Sequence, residues 1–243
     1  MRLECALRSG TPPTGGLVTA TTRTDSEAHM RRLTRRRVQG WIAAALMVLL
    51  GTETATLAQD RMPPIASEQL NEAQQRAVED LEAARGYGPR GPWVPLLRSP
   101  EVLSRARAMG DYLRFKAVLP PRLSEFLILL TAREWTQQYE WQAHSQIGID
   151  AGLTTETVAA IAAGRRPDVM ADDEAALYAL WSELIRHKSV SEATYATVVE
   201  EFGEQGVIDA VGIIGYYTML AMVMNTAQTA LPPNVEPPLP AFP

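Results

Sequence analysis

Cysteine is nearly absent from this sequence of 243 residues, which contains only Cys5. An intramolecular disulfide and a thiol redox pair each need two cysteine side chains, and a cysteine-ligated metal site needs at least one. Because Cys5 lies in the amino-terminal tail, the sequence excludes all three from the folded part of the chain.

A surplus of positive charge is also absent from most of the chain. Residues 1–58 contain eight Arg and four acidic residues, so residues 59–243 hold the remaining 15 basic and 24 acidic residues, a net charge of −9. An acidic globule repels a phosphate backbone. We therefore expect no nucleic-acid partner.

The segment 30–58 has the order of a secretory signal. Basic residues at 31–37 precede an apolar run from Trp41 to Leu50, and a polar stretch then ends at Ala58. The apolar run is too short to span a bilayer comfortably as a stable anchor. The pattern therefore favours export, and an uncleaved membrane anchor is the alternative.

Export divides the chain into three predicted parts. Translation is expected to begin at Met30, which makes residues 1–29 a mis-assigned upstream extension or a disordered tail. The arginines at 35–37 resemble a twin-arginine signal. With cleavage after Ala58, residues 59–243 form the mature domain, which we expect to be periplasmic or secreted.

Strand-like alternation bounded by hairpin turns does not occur after residue 66, and neither does an internal repeat. Capping residues, prolines and glycines instead delimit helical patterns. We therefore predict an all-α domain of about eight helices, at 67–85, 100–116, 122–135, 137–150, 154–164, 172–188, 191–203 and 204–229.

The last predicted helix is unusually apolar. The stretch from Val207 to Met224 approaches the length of a membrane span. Asp209 and the glycines at 212 and 215 argue against a span, and a helix that is apolar on all sides is buried on all sides. We favour burial in a core and in a subunit interface.

Glu125 stands immediately before an apolar block at 126–130 and has two interpretations. A carboxylate near a helix start is stabilised by the helix dipole. Alternatively, the apolar block raises the pKa of Glu125 into a range that is useful for catalysis. Spacing alone does not decide between them.

Glu140 and His144 are four residues apart, so on a helix they share one face and can hydrogen-bond. A carboxylate beside an imidazole suits proton transfer, although such pairs also occur on ordinary solvated surfaces. His187 lies in the last turn of its predicted helix and is interpreted as structural. One Glu and one His do not make a metal site, so neither a metal nor another cofactor is expected.

Several short motifs together resemble one protein family. They are Arg122-Leu123-Ser124-Glu125 with the apolar block, Tyr139-Glu140-Trp141, His144, Ala151-Gly152-Leu153, Gly215-Tyr216 and Asn225. This set resembles the carboxymuconolactone decarboxylase family of the alkyl hydroperoxidase D-like superfamily, over about 61–231. The resemblance implies a helical bundle that assembles into homotrimers or homohexamers, and hence a homo-oligomer.

The resemblance also implies a cofactor-free decarboxylase that removes carbon dioxide from a small carboxylated lactone. In that mechanism His144 would shuttle the proton, Glu140 would orient it and Glu125 would act as a second acid or base. The substrate-binding residues implied in the same way are Arg122, Arg133, Tyr139 and Trp141.

The other branch of this superfamily, the alkyl hydroperoxidase D proteins, uses a Glu, a Cys-x-x-Cys pair and a His. On this sequence, Glu125 and His144 match, but Gln137 and Glu140 occupy the cysteine positions. Peroxidase activity is therefore disfavoured, because it needs a thiolate and a resolving thiol. A non-enzymatic periplasmic binding protein remains the alternative. A buried Glu125–His144 contact would favour catalysis, and a solvated pair would favour binding.

Overall fold

The computed structural model describes residues 60–240, and the described part is all-helical. A 3₁₀ turn at Ser67–Gln69 precedes eight α-helices: α1 Glu72–Arg85, α2 Trp93–Leu96, α3 Pro100–Phe115, α4 Pro121–Glu134, α5 Gln138–Asp150, α6 Thr155–Ala162, α7 Asp172–His187 and α8 Glu192–Ala227. The predicted all-α fold of about eight helices is confirmed. The predicted export signal at 30–58 and the extension at 1–29 lie outside the described residues.

Helix α4 is the central helix of the described domain. Pro121 occupies its first turn, where the missing N–H costs nothing, and every residue from Leu123 to Arg133 is buried. A helix that is apolar around its whole circumference needs neighbours on all sides. Helices α5, α8, α7 and α6 supply them, so residues carried by α4 lie in the interior.

The first helix begins later than predicted, and one short helix was not predicted. Ser67 was expected to cap α1, but the cap is Asn71: its side chain accepts from Gln74 N, and the Gln74 side chain accepts from Asn71 N. This reciprocal pair satisfies two backbone donors at once, which favours Asn71 as the cap. Helix α2 lies between the predicted helices 67–85 and 100–116, where no helix was predicted.

Helix α8 contains a break at Gly203. This residue has φ 70° and ψ 174°, which is not helical, although the chain is helical on both sides. Only glycine adopts this region of backbone space at low cost. The two helices predicted to meet at Gly203 are therefore one helix with a kink at that residue.

The apolar part of α8 has one buried and one exposed face. By length and composition α8 could cross a membrane, but 56% of its most apolar stretch is buried within the described domain. Ile213 and Met224 are in the core, whereas Ile208 on the opposite face is 69% exposed. The predicted core burial is therefore present on one face of the helix.

Helices α3 and α8 approach closely at Gly110. A Cβ atom added to Gly110 would lie 2.8 Å from Cζ of Tyr216. We expect Gly110→Ala to lower the free energy of unfolding by about 1–3 kcal/mol, because the helices must separate or the ring must move. Urea denaturation measures this change.

Gly215→Ala is the matched control, because a Cβ at Gly215 on α8 would meet nothing within 4 Å. Alanine is the better helix former, so this variant should be as stable as the parent or more stable by up to about 1 kcal/mol. Equal destabilisation by both substitutions would contradict the close approach of α3 and α8.

Candidate active site

Helix α5 begins at a cap that ties it to α8. The buried Gln137 side chain accepts hydrogen bonds from Tyr139 N at 2.7 Å and Glu140 N at 3.3 Å, and it donates to Asn225 Oδ1 at 2.9 Å. These bonds satisfy backbone donors that a helix start otherwise leaves open. The position of α5 relative to the end of α8 is thereby fixed.

The side chains of Glu125 and His144 meet between α4 and α5. Glu125 Oε2 lies 2.6 Å from His144 Nδ1, and the residues are 5% and 7% exposed. A carboxylate at Nδ1 fixes the tautomer and orientation of the ring and leaves Nε2 as the nitrogen that can exchange a proton. Arg114 Nη2 lies 3.9 Å from the other carboxylate oxygen of Glu125.

Close packing of α4 and α5 makes this contact geometrically possible. At Gly148 of α5, a Cβ atom would lie 3.0 Å from Leu153 Cδ1 and 3.2 Å from Leu129 Cδ1. Most side chains at this position would push the two helices apart. Gly148 therefore allows the Glu125 carboxylate to reach the histidine ring.

Glu140 does not orient His144, contrary to the prediction. The partner of His144 Nδ1 is Glu125, and both Glu140 carboxylate oxygens are buried without a hydrogen-bond partner among residues 60–240. The four-residue spacing predicted that Glu140 and His144 share one face of α5. The Glu125 carboxylate on α4 contacts His144 Nδ1 instead. Burial raises the pKa of Glu140 well above its usual value.

A cavity of about 340 Å³ lies beside His144. Its wall combines the end of α1, the connection to α2, and parts of α3, α5 and α8. The lining residues are Arg85, Tyr87, Arg90, Pro92, Trp93, Arg114, Tyr139, Glu140, Gln142, Ala143, His144, Ile147, Tyr216, Tyr217, Leu220 and Pro232. The cavity is large enough for a small organic molecule.

Three arginines give the cavity a positive wall. Arg85 pairs with Asp111 through an Nη2–Oδ1 distance of 2.6 Å. The Arg90 guanidinium lies 3.7 Å from the centre of the Tyr87 ring, and Arg114 comes from α3. Guanidinium groups bind carboxylates strongly and with defined geometry. The wall therefore suits an anionic ligand.

Tyrosine rings form the side of the cavity nearest His144. The Tyr217 ring meets the His144 ring edge to face at a centroid distance of 5.2 Å, and Tyr216 lies 5.2 Å from Tyr217. Burial raises the pKa of both tyrosine hydroxyls, and it also raises that of Tyr139. The hydroxyls are therefore protonated at neutral pH.

Of the four predicted substrate-binding residues, Tyr139 is the one that lines this cavity in the described part of the chain. Arg122 forms ion pairs with Asp173 and Glu174 at the start of α7.

Arg133 donates from Nη1 to the Pro240 carbonyl at 2.8 Å, and Trp141 is buried in the core. Neither Arg122 nor Arg133 lines the cavity beside His144, so their roles in binding substrate stay predictions. Arg85, Arg90 and Arg114 were missed, since they are dispersed in the sequence and belong to no local motif.

A metal-binding cluster is not found among residues 60–240: no group of three His, Cys, Asp or Glu side chains is placed to hold an ion. The groups assembled at the cavity are a carboxylate–imidazole pair, a second carboxyl, guanidinium groups and phenols. These are groups that bind anions and transfer protons.

No known family model matches this sequence, and no curated protein matches it either. Solved structures do resemble it. One is described as an alkylhydroperoxidase AhpD core, an uncharacterised peroxidase-related protein from Ralstonia eutropha JMP134, with a TM-score of 0.59 and 18% identity over 71% of this chain and 92% of that one.

Another similar structure is a variant of the debrominase Bmp8 in complex with 2,3,4-tribromopyrrole. Its TM-score is 0.56, with 12% identity over 72% of this chain and 94% of that one. The apo form of Bmp8 gives a TM-score of 0.54 over the same shares of the two chains. This protein therefore has the alkylhydroperoxidase D-like fold.

Proposed function

We propose that the protein is a cofactor-free carboxy-lyase of the carboxymuconolactone decarboxylase type, which acts on a small carboxylated, lactone-like substrate. The supporting observation is the buried Glu125–His144 contact beside a cavity lined by arginines. A solvated pair would have favoured a binding protein, whereas a buried acid–base pair in a cavity is typical of catalytic sites.

The proposed reaction exchanges carbon dioxide for a proton. The bond between the carboxylate carbon and the ring carbon breaks, and its electron pair moves into the substrate's conjugated unsaturation. A proton then forms a new C–H bond. Glu125 holds His144 through Nδ1, so that Nε2 moves protons at the cavity. The arginines of the wall bind the anionic groups of the substrate.

Thiol-dependent activities are not proposed, although one similar structure is named as peroxidase-related. Peroxide reduction by this type of chemistry needs a thiolate nucleophile. The sequence has no cysteine besides Cys5. Where the peroxidase branch has its two cysteines, Gln137 caps α5 and Glu140 is a buried carboxyl.

The test is an assay of the purified full-length chain with γ-carboxymuconolactone and related unsaturated lactone acids. Ultraviolet absorbance follows loss of substrate, and released carbon dioxide is measured in parallel. We expect saturable turnover without an added metal or cofactor, at a rate that chelators do not change. No turnover of any compound in the panel would contradict the proposal.

We also propose that the protein acts as a homotrimer or homohexamer in the periplasm. Support comes from the exposed apolar face of α8, on which Ile208 is 69% exposed. Light scattering should give a mass above the 26.7 kDa of one chain, and Ile208→Glu should lower it. A monomer mass would contradict the oligomer, and enzyme retained in the cytoplasm on fractionation would contradict the location.

A further inference from the structure

Glu140 is a buried acid that has no role in the proton transfer described above for His144. It is 3% exposed, it lines the cavity, and it lies one helical turn before His144 on α5. Neither of its carboxylate oxygens has a hydrogen-bond partner among residues 60–240. Buried polar groups are nearly always paired, so an unpaired one in a cavity wall is a candidate for function.

The surroundings of Glu140 do not compensate a negative charge. The titratable and charged groups that share the wall with it are Arg85, Tyr87, Arg90, Arg114, Tyr139, His144, Tyr216 and Tyr217. Each arginine of the wall has another partner: Arg85 pairs with Asp111 at 2.6 Å, Arg114 lies 3.9 Å from Glu125, and Arg90 lies over the Tyr87 ring. Burial accordingly raises the pKa of Glu140.

Glu125 and Glu140 thus have opposite environments in one site. Glu125 contacts His144 at 2.6 Å and lies 3.9 Å from Arg114, whereas the Glu140 carboxyl has no hydrogen-bond partner among residues 60–240. Two carboxyls whose surroundings differ in this way take different parts in acid–base catalysis. The paired carboxylate orients the histidine, and the unpaired acid is free to give up its proton.

We propose that Glu140 is held as a neutral carboxylic acid and delivers the proton that replaces carbon dioxide on the substrate. The inference rests on the proposed function. In this step the Glu140 O–H bond breaks, and the conjugated system, which has taken up the electron pair of the broken carbon–carboxylate bond, supplies the pair that forms the new C–H bond. Glu140 is left as a carboxylate, and His144, one turn away, takes a proton from water and returns it to Glu140, so that hydroxide is released to the solvent.

The protonation state is tested without substrate by infrared spectroscopy of the full-length protein at neutral pH. We expect the carbonyl stretching band of a protonated carboxylic acid in the wild type, and its loss in Glu140→Gln. Glu134→Gln, which removes an exposed glutamate at the end of α4, is the matched control and should retain the band. A wild-type spectrum without this band would overturn the proposal.

The proton donation is tested by turnover of the lactone acids. Glu140→Gln should lower kcat by about 10²- to 10⁴-fold with little change in KM, because the amide cannot donate the proton. Glu140→Asp should recover part of the rate. Wild-type kcat should fall at high pH, where Glu140 ionises, and the residual rate of Glu140→Gln should lack this fall.

Two results separate this inference from the proposed function. If Glu140→Gln turned over the lactone acids at the wild-type rate, Glu140 would not be the proton donor, but the proposed lyase activity would stand. A wild type that turns over none of the lactone acids contradicts the lyase, and the infrared band, which is measured without substrate, still decides whether Glu140 is neutral.

Discussion

Replacement of His144 by glutamine is expected to lower kcat for lactone acids by about 10²- to 10⁴-fold, the usual contribution of a positioned acid–base group. Glutamine is neutral and does not titrate, so it cannot carry a proton in the site, whether to the substrate or back to Glu140. Its amide can still donate to Glu125 Oε2, which now lies 2.6 Å from His144 Nδ1. The buried carboxylate therefore keeps a partner, and the helical circular dichroism should be unchanged.

His187→Gln is the matched control, because His187 is exposed in the last turn of α7 and does not line the cavity. Its turnover should equal that of the wild type. Full activity in His144→Gln would show that the imidazole is not the proton carrier. Equal losses in both variants would point to a general effect of removing a histidine.

Truncation of Phe126 to alanine should give the largest loss of stability of any change considered for this protein. Phe126 is fully buried in α4, the central helix. Removing a buried phenyl ring loses its transfer free energy and leaves a cavity, which together cost about 3–5 kcal/mol. Chemical denaturation should show this loss as a lower midpoint, with the slope of the transition unchanged.

Phe115→Ala is the comparison, because Phe115 is 65% exposed at the end of α3. It contacts the guanidinium groups of Arg85 and Arg114 at centroid distances of 5.5 and 5.3 Å. Losing such exposed contacts costs about 0.5–1 kcal/mol each at most. A smaller loss for Phe126→Ala than for Phe115→Ala would contradict the central position of α4.

Most helices could be predicted because local chemistry sets their ends. Pro121 begins α4, Thr154 caps α6, and Gly203 interrupts α8 where a separate helix was expected to end. Asn71 was missed because Ser67 is also an acceptable cap, and only the return bond from Gln74 distinguishes them. When two nearby residues are both acceptable N-caps, the backbone geometry decides which one begins the helix, and the sequence alone does not show that geometry.

The candidate site could be predicted in part. The motifs pointed to Glu125, Glu140 and His144, and all three lie at or beside one cavity. The pairing within this group was wrong because helix periodicity describes neighbours on α5 but not the approach of α4. Which carboxylate meets the imidazole depends on interhelical packing, which involves residues 19 positions apart.

The cationic side of the cavity could not be predicted. The family resemblance implied Arg122 and Arg133, but Arg122 pairs with acidic residues of α7. Arg85 and Arg114 reach the cavity from α1 and α3. Nothing in a single sequence indicates which arginines of distant helices converge on one point in space.

The acid–base residues at the cavity and much of its remaining wall come from separate parts of the chain. Glu125, Glu140 and His144 are carried by α4 and α5, whose spacing depends on tight packing at Gly148. Much of the rest of the wall comes from residues 85–93, the end of α1 and a connection outside that packing. During divergence of such a protein, substitutions at 85–93 can therefore change which ligand fits the cavity while the Glu125–His144 contact is kept. For an engineer, the same segment is the place to randomise when the cavity is to accept a different ligand.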